Sequence, residues 1–155
     1  MAALDTLVTL SDLDATDALA ARIADVLMPG DAVLLDGPVG AGKSALSRAI
    51  VRRRLGEASA EVPSPTFTLV QTYDHADGDI WHCDLYRLEG VRDLSELGLD
   101  MAFEDAICLI EWPDRLTGIA PDDPLCISMS IDGSAHVARL QGSDAWRDRI
   151  GSGLG

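Results

Sequence analysis

An α/β fold, a single domain with a mixed central sheet flanked by helices, is what this chain of 155 residues predicts. Three observations carry that reading. The length suits one domain with a sizeable core. A short apolar run, Ala32–Asp36, passes at once into a glycine-rich loop and then a helix-forming stretch, so that the segment reads strand–loop–helix. Further on, two pairs of β-rich runs each close across an Asp-Gly turn. The first pattern calls for parallel strands and the other for antiparallel hairpins, hence a mixed sheet.

Each element follows from local chemistry. Ser11 or Asp12 starts a helix that ends before Gly30, with Leu19, Ile23, Val26 and Leu27 on one face. A second helix over 44–55 stops at Gly56. Arg52, Arg53 and Arg54 fall in its last turn, where cations complement the helix dipole, so this basic run reads as structural rather than as a nucleic-acid patch. Runs 67–73 and 79–84 form a hairpin around Asp77-Gly78. The stretch 91–106 is helical in two short pieces broken around Gly98, and 107–112 is an apolar strand stopped by Pro113. Runs 125–131 and 135–140 pair across Asp132-Gly133. A capped helix opens at Ser143, and residues 151–155 form a mobile tail after a domain spanning 1–150.

Composition excludes several classes. No apolar run approaches the ~20 residues of a membrane span, and an acidic N-terminus without Lys or Arg makes a poor leader. Three widely spaced cysteines inside apolar runs, Cys83, Cys108 and Cys126, read as reduced core thiols rather than a zinc site. A cytoplasmic protein with no membrane partner is expected. Twelve Lys and Arg against 26 Asp and Glu give a net charge of −14. Such a surface repels phosphate backbones, so contact with nucleic acid requires a basic partner.

The glycine-rich loop carries the chemistry. Gly37, Gly40, Gly42, Lys43 and Ser44 fit G-x-x-x-x-G-K-[ST], in which backbone N–H groups cradle phosphates, lysine reaches the β- and γ-phosphates, and the hydroxyl ligates magnesium. With a strand before it and a helix after it, the motif predicts a P-loop NTPase domain. The nucleotide-binding residues are then Gly37, Pro38, Val39, Gly40, Ala41, Gly42, Lys43, Ser44 and Ala45. Hydrolysis also needs an acid at a strand end. Asp84 and Glu111 both qualify, and Glu111, with the more apolar strand behind it, is the first choice for the metal; either could instead cap a turn. In "VPSPTFTLV" two prolines fix an extended loop that places Thr66 just before a strand. A hydroxyl there can sense magnesium and γ-phosphate, unless the prolines only shape the strand entrance. His82 shares a face with Asp84 and reads as a core or supporting histidine rather than a base. His75 belongs to an exposed turn. Trp81, Trp112 and Trp146 are packing aromatics, of which Trp112 can report on nucleotide.

"GPVGAGKS", "VPSPTFTLVQTY", "WHCDLYRL", "LSELGLD" and "ICLIEWPDRL" together resemble, in order and spacing, the TsaE (YjeE) family, over roughly residues 4–141. The resemblance implies a cytoplasmic magnesium-dependent ATPase that works with the TsaD and TsaB proteins in threonylcarbamoyladenosine synthesis at tRNA position 37. It would touch tRNA only through that complex. It further implies that Lys43 holds phosphates, that Ser44 and Glu111 are linked to magnesium, that Asp84 is the acid of the D-L-Y-R-L strand, and that residues 64–66 act as a switch. Pro38, Val39, Ser44 and Ala45 depart from a common G-D-L-G-A-G-K-T-[TS] form, and Ala45 lacks a hydroxyl that could touch the α-phosphate. Two other functions fit a P-loop: a small-molecule kinase, disfavoured by Arg115 being the only arginine in the loop after Glu111, and a nucleotide-responsive binding module without turnover.

Overall fold

A computed structural model describes residues 3–57, 62–63, 69–87, 97–116 and 119–151. Among the described residues seven strands form one sheet: β1 Leu4–Leu10, β2 Ala32–Asp36, β3 Val70–Tyr73, β4 Ile80–Asp84, β5 Ile107–Glu111, β6 Leu125–Asp132 and β7 Ala135–Gly142. The described helices are α1 Leu13–Ala24, α2 Lys43–Leu55, α3 Leu99–Asp105 and α4 Asp144–Ile150, with a 3-10 turn at Pro113–Arg115. Strand order is β1-β7-β6-β2-β5-β4-β3. The inner strands β4, β5, β2 and β6 run parallel, while β3 and the β1–β7 and β6–β7 pairs are antiparallel. The mixed α/β sheet expected from the sequence is therefore present.

Alternation along the strands sorts the core into two layers. Val33, Leu35, Ile80, Ile107 and Leu109 pack with α1, α2 and α4 on one face. Ala32, Cys83, Leu85, Cys108 and Ile110 pack with α3 on the other. Ile107, Leu109 and Ile110 of β5 are wholly buried, and each such side chain contributes roughly 1.5–3 kcal/mol by leaving water. Strand β5 is thus buried at every residue, and its last residue is Glu111.

Several boundaries differ from the sequence reading for identifiable reasons. The first helix ends at Ala24, and Val26 and Leu27 lie in the tightened turns after it, closed by Val26 N–H to Ile23 O at 3.1 Å and Leu27 N–H to Ala24 O at 3.3 Å. Leu27 stays buried even so. The second helix begins one residue earlier, at Lys43, because Gly42 in the left-handed region serves as its N-cap. The fifth strand stops at Glu111 because Trp112 turns to φ +62°, so Pro113 opens a 3-10 turn instead. Strand β1 is absent from the sequence reading; Leu4 and Leu10 are buried, but exposed Leu7 blurs the alternation. In the tail 151–155 only Gly151 is described, and the first helical piece proposed for 91–106 falls largely outside the described residues.

Other expectations hold. Arg53 makes a bidentate pair with Asp25 at 3.0 and 2.9 Å, and Arg54 donates to the carbonyls of Ala24 and Asp77, both at 3.2 Å. Those two arginines do structural work at the end of α2. Ser143 is the N-cap residue of α4, yet its hydroxyl bonds Asp123 Oδ2 at 2.9 Å rather than its own helix. Trp146 is a packing aromatic whose Nε1 donates to Asp123 O at 2.7 Å, and Arg149 stacks 4.2 Å from its ring centroid while gripping Asp31. Among the described residues no helix is long and apolar enough to cross a membrane.

Cys83 and Cys108 are buried, Cys126 is partly exposed, and none is in a disulfide. Burial pushes the Cys108 thiol up to about 12 and Cys83 well above its ordinary value. Thiolate is the reactive form, so native protein treated with an alkylating reagent at pH 8 should be modified at Cys126 alone. Mass spectrometry should show Cys83 and Cys108 labelled only after denaturation; labelling of either in the native state would contradict this packing.

Candidate functional site

The parallel strands β2, β5 and β4 end side by side, and their carboxyl ends are where ligands bind in such sheets. Register sets Leu35 opposite Glu111 and Asp84 opposite Glu111. The loop after β2 therefore lies against two carboxylates from neighbouring strands. That loop is bent by Gly37 at φ +140°, Gly40 at +85° and Gly42 at +101°. A Cβ on Gly37 would stand 2.3 Å from the carbonyl oxygen of Met129, and one on Gly42 would stand 2.8 Å from His136 Nδ1. Only glycine permits the chain to pass there. The loop delivers Gly42, Lys43 and Ser44 to the start of α2, whose positive N-terminal end suits an anion.

Glu111 is 1% exposed, and both of its carboxylate oxygens are engaged. Ser44 Oγ donates to Oε1 at 2.8 Å, and His82 Nε2 lies 2.7 Å from Oε2. Asp84 is 5% exposed and accepts from the Tyr86 N–H at 3.1 Å through Oδ1. Lys43 is also buried; its Nζ donates to the Gly37 carbonyl and sits 3.7 Å from the Trp112 ring centroid. Burial holds the Lys43 ammonium below its ordinary value, opposed by the charges of Glu111, Asp36, Asp84 and Asp114. The left-handed backbone at Trp112, an uncommon conformation for so bulky a residue, brings the indole over that lysine. Tyr86 packs against the same ring, centroids 4.8 Å apart.

Lys43, Ser44, Asp84, Glu111 and Trp112 line one cleft of about 460 Å³, walled by loop residues Pro38, Val39, Gly40 and Ala45 and by Arg48, Tyr86 and Arg87, with His82 behind Glu111 and outside the lining. Sequence reading had named Lys43, Ser44, Asp84 and Glu111, and all four meet here; of the loop residues, Ala41 is wholly buried beneath it. Thr66 and its neighbours 64–68 lie outside the described residues. Arg48, Tyr86 and Arg87 had not been singled out, although Arg48 stands four residues after Ser44, one turn along the same helix face. Trp112, by sequence a packing aromatic that can report on nucleotide, touches Lys43 directly. His82 is a supporting histidine, wholly buried and bonded to Glu111. A second, smaller cleft of about 230 Å³ shares Gly42 and Ala45 and is lined by Ser11, Asp12 and Thr16 of the α1 entrance and by Met129 and His136 of β6 and β7.

The loop geometry generates an ordering. Gly40→Ala meets nothing within 4 Å and bears only left-handed strain, ~1–2 kcal/mol. Gly37→Ala adds a collision with the Met129 backbone, so its loss of stability in urea unfolding should be clearly larger. Equal losses, or the reverse order, would contradict this path of the loop.

A solved structure with the same fold is Bacillus subtilis YdiB, with a TM-score of 0.76 over 97% of this chain and 93% of that one at 22% identity. The family profile described as "Threonylcarbamoyl adenosine biosynthesis protein TsaE" matches residues 10–139. The tRNA threonylcarbamoyladenosine biosynthesis protein TsaE of Rickettsia conorii is 42% identical over 132 residues, covering 85% of this chain and 74% of that protein. The protein of the same name from Bacillus subtilis is 34% identical over 113 residues, 72% of this chain and 69% of its own. A phosphate loop, two strand-end acids and likeness over most of the length all agree: this chain belongs to the TsaE family.

Proposed function

We propose that this protein is a magnesium-dependent ATPase required for threonylcarbamoyladenosine formation at position 37 of tRNA, acting with TsaD and TsaB. The observation that carries the reading is the convergence of Lys43, Ser44, Asp84 and Glu111 on one cleft at the carboxyl ends of parallel strands. Lys43 exchanges the Gly37 carbonyl and the Trp112 face for β- and γ-phosphate oxygens, which are stronger, charge-assisted partners. The Ser44 hydroxyl and the Glu111 carboxylate would hold the metal, and Asp84 would position the attacking water. Bound magnesium would neutralise charge on the phosphate oxygens. The donor set fits it: a hydroxyl and a carboxylate oxygen, Ser44 Oγ and Glu111 Oε1, lie 2.8 Å apart beside the glycine-rich loop, and a hard cation takes oxygen ligands. An ion that keeps several waters and takes phosphate oxygens needs no all-protein cage. The nucleobase enters the second cleft, across Gly42 and Ala45.

The net charge of −14 supports contact with tRNA through partners rather than directly. The test is ATP hydrolysis by this chain, alone and with TsaD, TsaB and tRNA. Turnover should rise with the partners. Lys43→Ala should weaken ATP binding by roughly 1.5–3 kcal/mol, ten- to hundredfold in Kd. Glu111→Gln and Asp84→Asn should keep most of the affinity and lower kcat by about tenfold or more. Phosphate transfer to a small metabolite would identify a kinase instead. Tight ATP binding with no turnover under any condition would identify a binding module.

A further inference from the structure

Glu111 is held at both carboxylate oxygens, and only one of the two partners belongs to the phosphate loop. Ser44 engages Oε1 from the cleft side, while His82 engages Oε2. His82 is fixed on β4, an inner strand, paired with Gln71 of β3 and Leu109 of β5. A carboxylate oxygen accepts, so toward Glu111 the His82 Nε2–H is the donor. Nδ1 is buried and has no hydrogen-bond partner among the described residues. Such an atom is destabilising, and an apolar residue at 82 would avoid it. What the imidazole supplies in return is its contact with Glu111.

We propose that His82 is a positioning residue that holds Glu111 Oε2 away from the cleft, so that Oε1, the oxygen beside the Ser44 hydroxyl, is the one turned to a metal ion, and thereby makes the cleft favour magnesium or manganese over calcium. This rests on the reading of the cleft as a metal–nucleotide site. Calcium takes six to eight oxygens at about 2.3–2.6 Å and often binds a carboxylate through both. Magnesium demands near-octahedral geometry at about 2.0–2.1 Å and takes one. Two-oxygen binding would require the carboxylate to turn so that both oxygens face the ion, which draws Oε2 off its 2.7 Å hydrogen bond and leaves a buried N–H unpaired. Without the imidazole, the carboxylate can rotate about its soft terminal torsion and offer both oxygens.

The test is calorimetric titration of the full chain with Mn²⁺ and with Ca²⁺ in the presence of ADP, corrected for metal–ADP association in solution. His82→Leu removes the donor, His82→Phe removes it while keeping a ring, and His82→Gln keeps an N–H; unfolding curves establish which variants fold. The Mn²⁺/Ca²⁺ affinity ratio should fall about tenfold in the Leu and Phe variants, the lower range for loss of a group that orients a metal ligand. It should stay within about threefold in His82→Gln. An unchanged ratio in a folded Leu or Phe variant that still binds ADP overturns this proposal alone, as does an equal fall in His82→Gln. Absence of ADP-dependent metal binding by the unaltered chain overturns the functional reading, and this proposal with it.

Discussion

A carboxylate taken out of water must find hydrogen bonds for both of its oxygens or bear a desolvation cost of several kcal/mol. Glu111 is such a group, and the cleft is organised around meeting that requirement. The Ser44 hydroxyl reaches one oxygen only because the glycine-bent loop brings the start of α2 down onto the end of β5. The His82 ring reaches the other only because β4 runs parallel to β5 in the register that pairs Asp84 with Glu111. A slip of one residue would turn His82 and Asp84 to the α3 face, where Cys83 and Leu85 now lie. Sheet register, loop path and carboxylate satisfaction are one constraint.

The charges around that acid are balanced in a way that suits exchange. Lys43 is buried, and its ammonium is penalised by desolvation, yet it has the carboxylates of Glu111, Asp36, Asp84 and Asp114 within electrostatic reach. Its contacts are a backbone carbonyl and an aromatic face, both weaker than a phosphate oxyanion in the same place. Desolvation and weak local partners together leave the lysine ready for an anionic ligand. On the outside, a strongly acidic surface keeps polyanions at a distance.

Much of this was legible in the sequence, and the gaps have physical causes. The strand Ala32–Asp36, the phosphate loop and the helix to Leu55 were readable because glycine placement and apolar runs are local signals. The same holds for the hairpins across Asp77-Gly78 and Asp132-Gly133. Asp84 and Glu111 could be named as strand-end acids, but their adjacency depends on β4–β5 pairing, which is tertiary. Strand β1 escaped because it is an edge strand whose outward Leu7 spoils the apolar–polar alternation. Trp112 looked like the end of a strand because nothing local favours a left-handed tryptophan; packing onto Lys43 and Tyr86 holds it there. Arg48 carried no motif of its own and becomes visible only when α2 is laid along the cleft.

The most direct test of the account is the emission of Trp112 during titration with ATP and magnesium, in a chain carrying Trp81→Phe and Trp146→Phe so that one indole remains. In the unliganded protein that ring lies 3.7 Å from the Lys43 ammonium. If the cleft is the triphosphate site, the lysine leaves the ring for the phosphates, and the emission changes saturably with a midpoint equal to the calorimetric Kd. A variant with Lys43→Met should show no such change. An indole signal that stays constant while calorimetry shows ATP fully bound would place the nucleotide elsewhere and contradict the account.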